Sequence, residues 1–370
     1  MHSPKHEWHI ISCEYPPKLG GVADYTRSVA TELASRGDSV HVWAPTSTRE
    51  EQFTVHDTDG FGPVALWRLG RSLNRFPKAH LLVQWVPHGY GLRALNFFFC
   101  AWLLYRARVR GNEVELMVHE PYLPFRNGRW KQNLAAVVQR VMTILILAAA
   151  DRVWISIPSW AERLKPYLLG RKTRMDWLPV PSSIQDTGAT QSRTGQTRIG
   201  HFSTFGSDSA YLEQIVAALL EGDRTLVLIG SASHSFADRL LSRFPKLRGK
   251  IEATGPISAE LVSQSIAECH AMIQPYQDGI CGRRTSAMAA LSHGKPLFTT
   301  SGSATEDIWA RSGAVVMVPL ERLTEIPSIL DDFLANPSAM KRLGAAGKSL
   351  YDSTFDLRHT VATLREARAA

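Results

Sequence analysis

Short apolar runs alternate with longer amphipathic stretches along the first half of the chain. Residues 9–12 (HIIS) and 79–86 (AHLLVQWV) have the length and composition of buried strands. Residues 22–36 instead repeat apolar positions every three or four residues, as one face of a helix does. Strand-like runs recur at 114–119 and 152–157, with helical stretches between them. This order predicts a parallel sheet built from strand–helix–strand units.

A polar stretch interrupts this alternation. Residues 181–197 (PSSIQDTGATQSRTGQT) are poor in apolar side chains and rich in Ser, Thr, Gln and Gly, which is typical of a linker. We therefore predict an N-terminal domain over residues 1–183 and a linker over 184–197. A second α/β series follows over residues 198–352, and residues 353–370 form a final helix. The fold class predicted is α/β, with two Rossmann-like domains whose strand carboxyl ends face a central cleft, where ligands bind.

Charge is spread unevenly over the two halves. Residues 1–185 contain 23 Lys and Arg against 15 Asp and Glu, whereas residues 186–370 contain 19 of each. The whole net charge of +8 thus lies in the first half. This bias favours an anionic partner such as an anionic lipid surface, an acidic saccharide or a nucleic acid, or else a solvated basic surface without a specific partner.

The cysteines and the hydropathy of the sequence indicate where in the cell the protein is located. The four cysteines form no C-x-x-C pair and no zinc-like spacing with histidine, which predicts reduced thiols in a cytoplasmic protein and no metal site. The N-terminal residues lack the basic-then-apolar pattern of a signal peptide. The longest apolar runs, 94–105 and 141–150, are shorter than the roughly 18 to 20 residues that span a bilayer, so no membrane span is expected.

Two loops of the first domain contain candidate ligand-binding residues. Gly20 and Gly21 follow the first strand and precede a helix, so the backbone there can approach a phosphate or a sugar closely, or simply turn tightly. Their spacing is not G-x-G-x-x-G, which disfavours a dinucleotide site. His119 ends a strand in "MVHEPY" and is the candidate catalytic histidine, whereas His88 in "QWVPHGYG" is a second candidate. An isolated histidine at a strand end can also be purely structural.

The second domain contains an unusual helix start. In "QPYQDGICGRRTSAM", Arg283 and Arg284 lie where a helix begins, although the partial positive charge of a helix start disfavours cations. Arginine binds phosphate oxygens through a planar fork of donors, so a diphosphate bound here would resolve the conflict. The alternative is that each arginine pairs with a nearby carboxylate.

Taken together, these segments resemble GT-B glycosyltransferases of the family 4 type, which transfer sugars from nucleotide donors with retention. The resemblance covers nearly the whole chain. In the first half it is carried by EYPPKLGGVADYTRSVATELASRGDSVHVWAP, VHEPY and ADRVWISIPSWAERL. In the second half it is carried by VLIGS, ATGPIS and PYQDGICGRRTSAMAALSHGKPLFTTSG. It implies that the last helix crosses back to the first domain.

The resemblance also implies roles for individual residues. Gly20 and Gly21 would contact the donor phosphates or the acceptor, while His119 and Asp278 would contact the donor sugar. The segment Gly279, Ile280, Cys281, Gly282 and Arg283 would hold the distal phosphate through backbone N–H groups, with Arg284 beside it. Further candidates for substrate binding are Glu120, Ser203, Gly230 and Ser286.

The chain departs from the family pattern at three positions. Ser286 occupies the place of a second acidic residue, which usually holds the ribose hydroxyls. The loop after the first strand of the second domain, "HFSTFGSDSAY", lacks the Arg and Lys that usually neutralise the diphosphate. Asp278 itself is shorter than the usual Glu. We therefore expect Arg283 and Arg284 to replace the missing basic pair.

The function predicted is transfer of a hexosyl group from a nucleoside-diphosphate sugar to a saccharide or lipid-linked acceptor, in polysaccharide or glycan assembly. No metal or other cofactor is expected, and no nucleic acid. The basic first half predicts peripheral contact with an anionic membrane at its cytoplasmic face. Two alternatives stay open on the same fold: a non-catalytic or weakened binder of an anionic polymer or nucleotide sugar, and a nucleotide-sugar epimerase or phosphorylase. A phosphorylase needs a cofactor lysine, and Lys295 is the lysine nearest the loop in sequence.

Overall fold

The chain forms two compact units in the computed structural model, which describes residues 5–18, 20–76, 78–91, 96–188 and 195–369. The first unit combines Met1–Pro179 with Thr360–Ala370, and the second consists of Val180–His359. The domain and linker bounds drawn from the sequence stay predictions, and part of the linker, residues 189–194, lies outside the described residues.

The first unit is built on a parallel sheet of seven strands among the described residues, in the order β3-β2-β1-β4-β5-β6-β7. These strands are β1 (Glu7–Ser12), β2 (Ser39–Ala44), β3 (Thr54–Asp57), β4 (His80–Trp85), β5 (Glu113–Val118), β6 (Arg152–Ile155) and β7 (Arg174–Trp177). The helices are α1 (Gly21–Ser35), α2 (Pro63–Leu73), α3 (Phe97–Arg108), α4 (Trp130–Ala149) and α5 (Trp160–Leu164). The strand order reverses between β1 and β4, which is where ligands bind in open α/β sheets.

The local pattern of β1 and α1 explains why they form. Ile10 and Ile11 in β1 are fully buried, as the apolar run predicts. Of the positions expected on the inner side of α1, Thr26, Val29 and Leu33 are buried, whereas Val22 is only partly buried. The helix ends where Gly37 takes a positive φ of 87°, a backbone conformation that glycine adopts without strain.

The second unit contains a parallel sheet of six strands in the described part of the chain, ordered β10-β9-β8-β11-β12-β13. The strands are β8 (Thr197–Phe202), β9 (Arg224–Ile229), β10 (Ile251–Ala253), β11 (Ala271–Gln274), β12 (Leu297–Ser301) and β13 (Val316–Pro319). The helices are α6 (Ser209–Leu219), α7 (Ser233–Arg243), α8 (Ala259–Ala267), α9 (Thr285–Ser292), α10 (Asp307–Ser312), α11 (Ile326–Leu334), α12 (Pro337–Leu350) and α13 (Leu357–Ala369). Two parallel sheets with interleaved helices confirm the predicted fold class.

The end of α13 belongs to the first unit. Val361 and Leu364 are fully buried there, and Arg365 Nε lies 3.1 Å from Asp38 Oδ2. The predicted return of the last helix to the first unit is therefore confirmed.

Two elements were absent from the sequence prediction. Strand β3 is a short edge strand in which three of the four side chains are polar, and α2 follows it in a stretch where no helix was predicted. The helical stretch expected between the strand-like runs 79–86 and 114–119 is α3, which begins at Phe97, and residues 92–95 lie outside the described residues.

One described helix, α4, has 20 residues and is long and apolar enough to cross a membrane. About 39% of its most apolar 18-residue stretch is buried inside the protein. The sequence analysis considered the apolar run 141–150, most of which lies in α4, and judged it too short for a span. A single such helix is weak evidence for a span, because core helices pass the same test. The four cysteines are buried and free.

Candidate functional site

The loop between β11 and α9 lies at the carboxyl edge of the second sheet. Its backbone is fixed by hydrogen bonds to β12 and to the segment after it, since Ile280 N–H donates to the Thr300 carbonyl (2.8 Å) and Gly282 N–H donates to Glu306 Oε1 (2.8 Å). Gly279 N–H donates to the Tyr276 carbonyl at 3.3 Å. Three of the N–H groups that the resemblance assigns to the distal phosphate therefore have acceptors within the protein.

Gly279 is required by this geometry. Its φ of +86° lies in the left-handed region, and an added Cβ would lie 2.3 Å from Gly302 N and 2.2 Å from Thr305 Oγ1. Ile280 and Cys281 are fully buried, so they act as an internal anchor of the loop. Their side chains are placed to hold the loop in position and not to contact a ligand.

Arg283 and Arg284 both pair with carboxylates. Arg283 Nη2 lies 3.1 Å from Asp278 Oδ2, and Arg284 Nη1 lies 3.0 Å from Asp208 Oδ2. Arg284 Nη2 also contacts Asp278 Oδ1, and its guanidinium lies 4.4 Å from the centre of the Tyr276 ring. The four groups form a cluster of two cations and two anions, which we call the arginine–aspartate cluster.

The electrostatics of the cluster favour the charged forms of Asp278 and Arg284. Burial alone would raise the pKa of Asp278, but the Arg284 and Arg283 guanidinium groups outweigh it and lower that pKa. Burial would likewise lower the pKa of Arg284, whereas Asp278 and the other acidic neighbours raise it. The alternative considered from the sequence, a carboxylate partner for each arginine, is present in this structure and explains how cations are tolerated at the start of α9.

Ser286 lies in the first turn of α9, and its Oγ is 2.8 Å from the Tyr276 hydroxyl. Burial raises the pKa of Tyr276, so its hydroxyl stays protonated. The position that usually provides a ribose-binding carboxylate therefore provides a hydroxyl that is already hydrogen-bonded.

Ser203 and Gly230 follow β8 and β9 at the same edge of the second sheet. Ser203 Oγ accepts a hydrogen bond from Phe205 N–H at 2.9 Å, and Gly230 N–H donates to Thr254 Oγ1 at 3.1 Å. A Cβ on Gly230, whose φ is +133°, would lie 2.1 Å from the Ser203 carbonyl oxygen. Both residues shape the strand ends through internal contacts.

In the first unit, His119 lies directly after β5 and is mostly buried. Its Nε2 is 2.8 Å from Oε1 of the buried Gln84 in β4, and its ring meets the Tyr25 ring edge-on at 5.0 Å. These contacts fix the orientation of the imidazole.

His88 and Glu120 are neighbours at the same edge of the first sheet. His88 Nδ1 lies 3.7 Å from Glu120 Oε2, and both side chains are largely exposed. The structure therefore brings three of the candidates in this unit to one edge, with His119 as the buried member.

The loop of Gly20 and Gly21 contains a carboxylate that the sequence analysis did not single out. Glu14 Oε1 accepts a hydrogen bond from Ala23 N–H (3.3 Å) in the first turn of α1, and a Cβ on Gly20 would lie 2.3 Å from that oxygen. Among the described residues nothing lies within 4 Å of a Cβ on Gly21. The start of α1 is thus occupied by an acidic side chain of the protein itself.

Sequence reasoning missed Asp208, Gln84 and Glu14. Asp208 is 76 residues from Arg284, and Gln84 is 35 residues from His119. Only the strand order brings these pairs together, and no local pattern signals it. Lys295 precedes β12 at the opposite edge of the second sheet and donates to the Ala267 carbonyl, so it lies away from the arginine–aspartate cluster.

A search of the described residues finds no group of three or more His, Cys, Asp or Glu side chains arranged to hold a metal ion. No family model matches the chain, and no curated protein matches it.

Solved structures, however, match it over nearly its whole length. Sucrose-phosphate synthase from Thermosynechococcus elongatus superposes with a TM-score of 0.76 at 13% identity, covering 99% of this chain and 98% of that one. A glycosyltransferase from Rickettsia africae gives 0.72 at 12% identity, covering 98% and 97%. HepE from Anabaena, solved with UDP and glucose, gives 0.71 at 12% identity, covering 98% and 99%. At these identities the matches show the fold alone, which is the two-unit GT-B fold of glycosyltransferases.

Proposed function

We propose that this protein is a glycosyltransferase that moves a hexosyl group from a nucleoside-diphosphate sugar to a saccharide or lipid-linked acceptor, with retention, in polysaccharide or glycan assembly. The observation that carries the proposal is the arginine–aspartate cluster at the carboxyl edge of a Rossmann-like sheet. That edge is where such sheets bind phosphorylated ligands. Structures of the same fold, such as HepE with UDP-glucose, support a nucleotide-sugar donor.

The cluster explains how the site can work without the usual basic pair after β8. That loop supplies Asp208 instead of cations, and Asp208 holds one side of Arg284. Arg284 makes its contacts with Asp208 and Asp278 through its two Nη groups. Phosphate oxygens that displace Asp278 from the guanidinium groups would bind to preoriented donors.

These donors would act mainly on the leaving group. The nucleoside diphosphate gains negative charge as the glycosidic bond breaks, and fixed guanidinium groups stabilise that charge. Asp278, once released, is placed to accept hydrogen bonds from the donor sugar. His119, oriented by Gln84, would contact the sugar or acceptor without attacking it, and the reaction would need no metal ion.

A thermal-shift screen against UDP, GDP, ADP and TDP tests donor binding. A ligand at about 100 times its Kd stabilises a protein by about 2.7 kcal/mol, which is readily measured as a rise in Tm. We expect one nucleotide to stabilise the protein and the others to act weakly. If none of the four nucleotides raised the Tm, the protein would more plainly fit a binder of another anion than a glycosyltransferase.

Replacing both Arg283 and Arg284 with alanine tests the role of the cluster. We expect kcat/KM to fall by at least about 100-fold, since the leaving group loses its fixed positive charge. Arg311→Ala removes an exposed arginine of the same unit that pairs with Asp307, and it serves as the matched control. Wild-type kcat/KM in the double variant would contradict the proposal.

A further inference from the structure

The outer side of α4 is apolar from Trp130 to Val141. Trp130, Leu134, Val137 and Val141 recur at helical spacing on one side of the helix, and each is at least 46% exposed. A helix on the surface of a globular unit normally presents charged or polar residues outward. We therefore expect a binding partner to cover this exposed apolar stripe.

The loop before α4 is held against the helix so that it extends this stripe. Gln139 Oε1 accepts a hydrogen bond from Leu123 N–H at 2.8 Å, and Asn133 bonds both the N–H and the carbonyl of Arg126. The Arg140 guanidinium lies 3.9 Å from the centre of the Phe125 ring. Phe125 is thereby fixed beside α4 with about half of its surface exposed.

Helix α3 packs directly against α4 and also exposes aromatic side chains. Phe98 and Tyr105 are both exposed by about half or more, while Phe99 and Leu103 on the other side of α3 are fully buried. We call this combined surface the apolar face. Its members are Phe98 and Tyr105 of α3, Phe125 of the loop, and Trp130, Leu134, Val137 and Val141 of α4.

The two segments that carry the apolar face are basic and contain no acidic residue, although Arg68 and Arg108 within them pair with the flanking Asp59 and Asp151. Residues 60–112, which include α2 and α3, contain eight Lys and Arg and no Asp or Glu. Residues 121–150, which include α4, contain four Lys and Arg and no Asp or Glu. Twelve positive charges thus lie in these two segments, although the net charge of the whole chain is only +8.

We propose that the apolar face docks on the surface of an anionic lipid bilayer. An interfacial helix of this kind inserts its aromatic and aliphatic side chains among the lipid headgroups while neighbouring Lys and Arg contact the phosphates. Tryptophan and tyrosine at the margin of such a face are the side chains that favour the interface. Helix α4 lies on the membrane in this arrangement and does not cross it.

Charge decides between a bilayer and a second copy of the chain. Two copies joined through the same face would bring two acid-free basic segments together, and like charges in an interface are repulsive. Anionic headgroups instead neutralise these residues. The same charges would make docking weaker at high salt and weak on neutral lipid.

The apolar face lies near the carboxyl edge of the first sheet, which bears on how an acceptor would reach the site. This part of the inference rests on the proposed function. Helices α3 and α4 begin just after β4 and β5, so Phe98 and Trp130 lie toward the carboxyl edge that contains His119. Docking through these aromatic helix starts would bring that edge close to the membrane. A lipid-linked acceptor could then reach the candidate residues without leaving the bilayer.

Co-sedimentation of the full chain with vesicles tests the proposal. One set of vesicles consists of phosphatidylcholine alone, and the other contains a third of phosphatidylglycerol. We expect the protein to pellet with the anionic vesicles at low salt and to be released at high salt. The double variant Leu134→Glu/Val137→Glu should reduce binding by at least about 10-fold, because it puts carboxylates on the face.

Leu261→Glu is the matched control, since Leu261 is a half-exposed leucine on a helix of the second unit. It should bind vesicles like the wild type. Trp130→Gln removes an aromatic side chain of the face without adding charge. It should also bind the anionic vesicles more weakly, and it tests the face independently if the glutamate variant fails to fold. Absence of wild-type binding at low salt, or equal binding by all variants, would overturn the proposal. A wild-type dimer that the glutamate pair dissociates, without vesicle binding, would assign the face to self-association instead.

Nucleotide binding separates this inference from the proposed function. The glutamate variant should keep the thermal shift given by the donor nucleotide, because the apolar face and the arginine–aspartate cluster belong to different units. Vesicle binding without any nucleotide shift would contradict the proposed function alone. A nucleotide shift without vesicle binding would contradict only the docking proposal.

Discussion

The loops after β1 and β11 both place glycine before a helix, yet they present opposite charge to it. In the first loop the Glu14 carboxylate occupies the start of α1, where Ala23 N–H donates to it. In the second loop Arg283 and Arg284 occupy the start of α9 and are balanced by acidic partners. A glycine-containing strand-to-helix turn in a sequence therefore does not specify what its helix start binds.

The glycines themselves also differ in kind. Gly20 has an extended backbone, with φ of 175°, and its lack of a Cβ leaves room for the flexible Glu14 side chain. Gly279 has a positive φ, and its lack of a Cβ lets two backbone segments approach each other. A side chain can move away from a new methyl group, but a hydrogen-bonded backbone segment cannot do so without local rearrangement.

The largest expected effect is that of Gly279→Ala. The methyl group would collide with Gly302 N, and alanine disfavours the positive φ, so we expect a loss of more than about 2 kcal/mol in the free energy of unfolding. Nucleotide binding should be lost as well, since Asp278 and Gly279 are adjacent. Urea unfolding and the nucleotide thermal shift measure the two effects.

Gly21→Ala is the corresponding change in the first loop. No described atom lies within 4 Å of the new methyl group, so its effect on stability should stay within about 0.5 kcal/mol. If Gly21→Ala proved as damaging as Gly279→Ala, the contrast between the two loops would be wrong.

A smaller effect is expected from Asp278→Asn, which removes one anion from the arginine–aspartate cluster. The pKa of Asp278 is lowered, so its contribution to stability is present above its unfolded pKa of about 3.9 and is lost as the pH falls through the folded pKa. We expect the variant to be less stable by about 1 kcal/mol at pH 7 and equal to the wild type at low pH. Urea unfolding at both pH values measures this.

The same variant tests whether phosphate and Asp278 compete for the guanidinium groups. Without the carboxylate the nucleoside diphosphate should bind more tightly by several-fold, while sugar transfer falls because the sugar contact is weakened. Calorimetric titration gives the affinity, and Asp307→Asn, in an exposed pair with Arg311, provides a control. Weaker nucleotide binding in Asp278→Asn would show that the carboxylate aids the diphosphate instead of competing with it.

The comparison also shows what the sequence could predict. The burial of Ile10, Ile11 and the inner side of α1 follows from local periodicity, so the sheet architecture was predictable. The position of both loops at strand carboxyl ends followed from the same pattern. The partners of the loops were not predictable, because Asp208 reaches Arg284 through the adjacency of β8 and β11. Strand β3 was missed because three of its four side chains are polar and it lies at the sheet edge.

The smallest expected effect concerns Glu14→Gln in the first loop. Burial raises the pKa of Asp24 in α1, and the nearby Glu14 carboxylate raises it further. A carboxyl with a raised pKa contributes stability at low pH that is lost as the pH rises through that pKa, which is opposite in sign to Asp278. Glutamine keeps an oxygen for Ala23 N–H but removes the charge, so the pKa of Asp24 should fall toward its ordinary value, with less than about 0.5 kcal/mol change in stability.

Titration of the Asp24 carboxyl followed by NMR measures this change. Glu32→Gln alters an acidic residue near the other end of α1, where Glu32 pairs with Arg36, and should leave the pKa of Asp24 unchanged. An unchanged pKa in Glu14→Gln would mean that the two carboxylates do not interact. The Glu14 carboxylate would then not make the start of α1 electrostatically different from the start of α9. The two loops would differ only in the conformation and surroundings of their glycines.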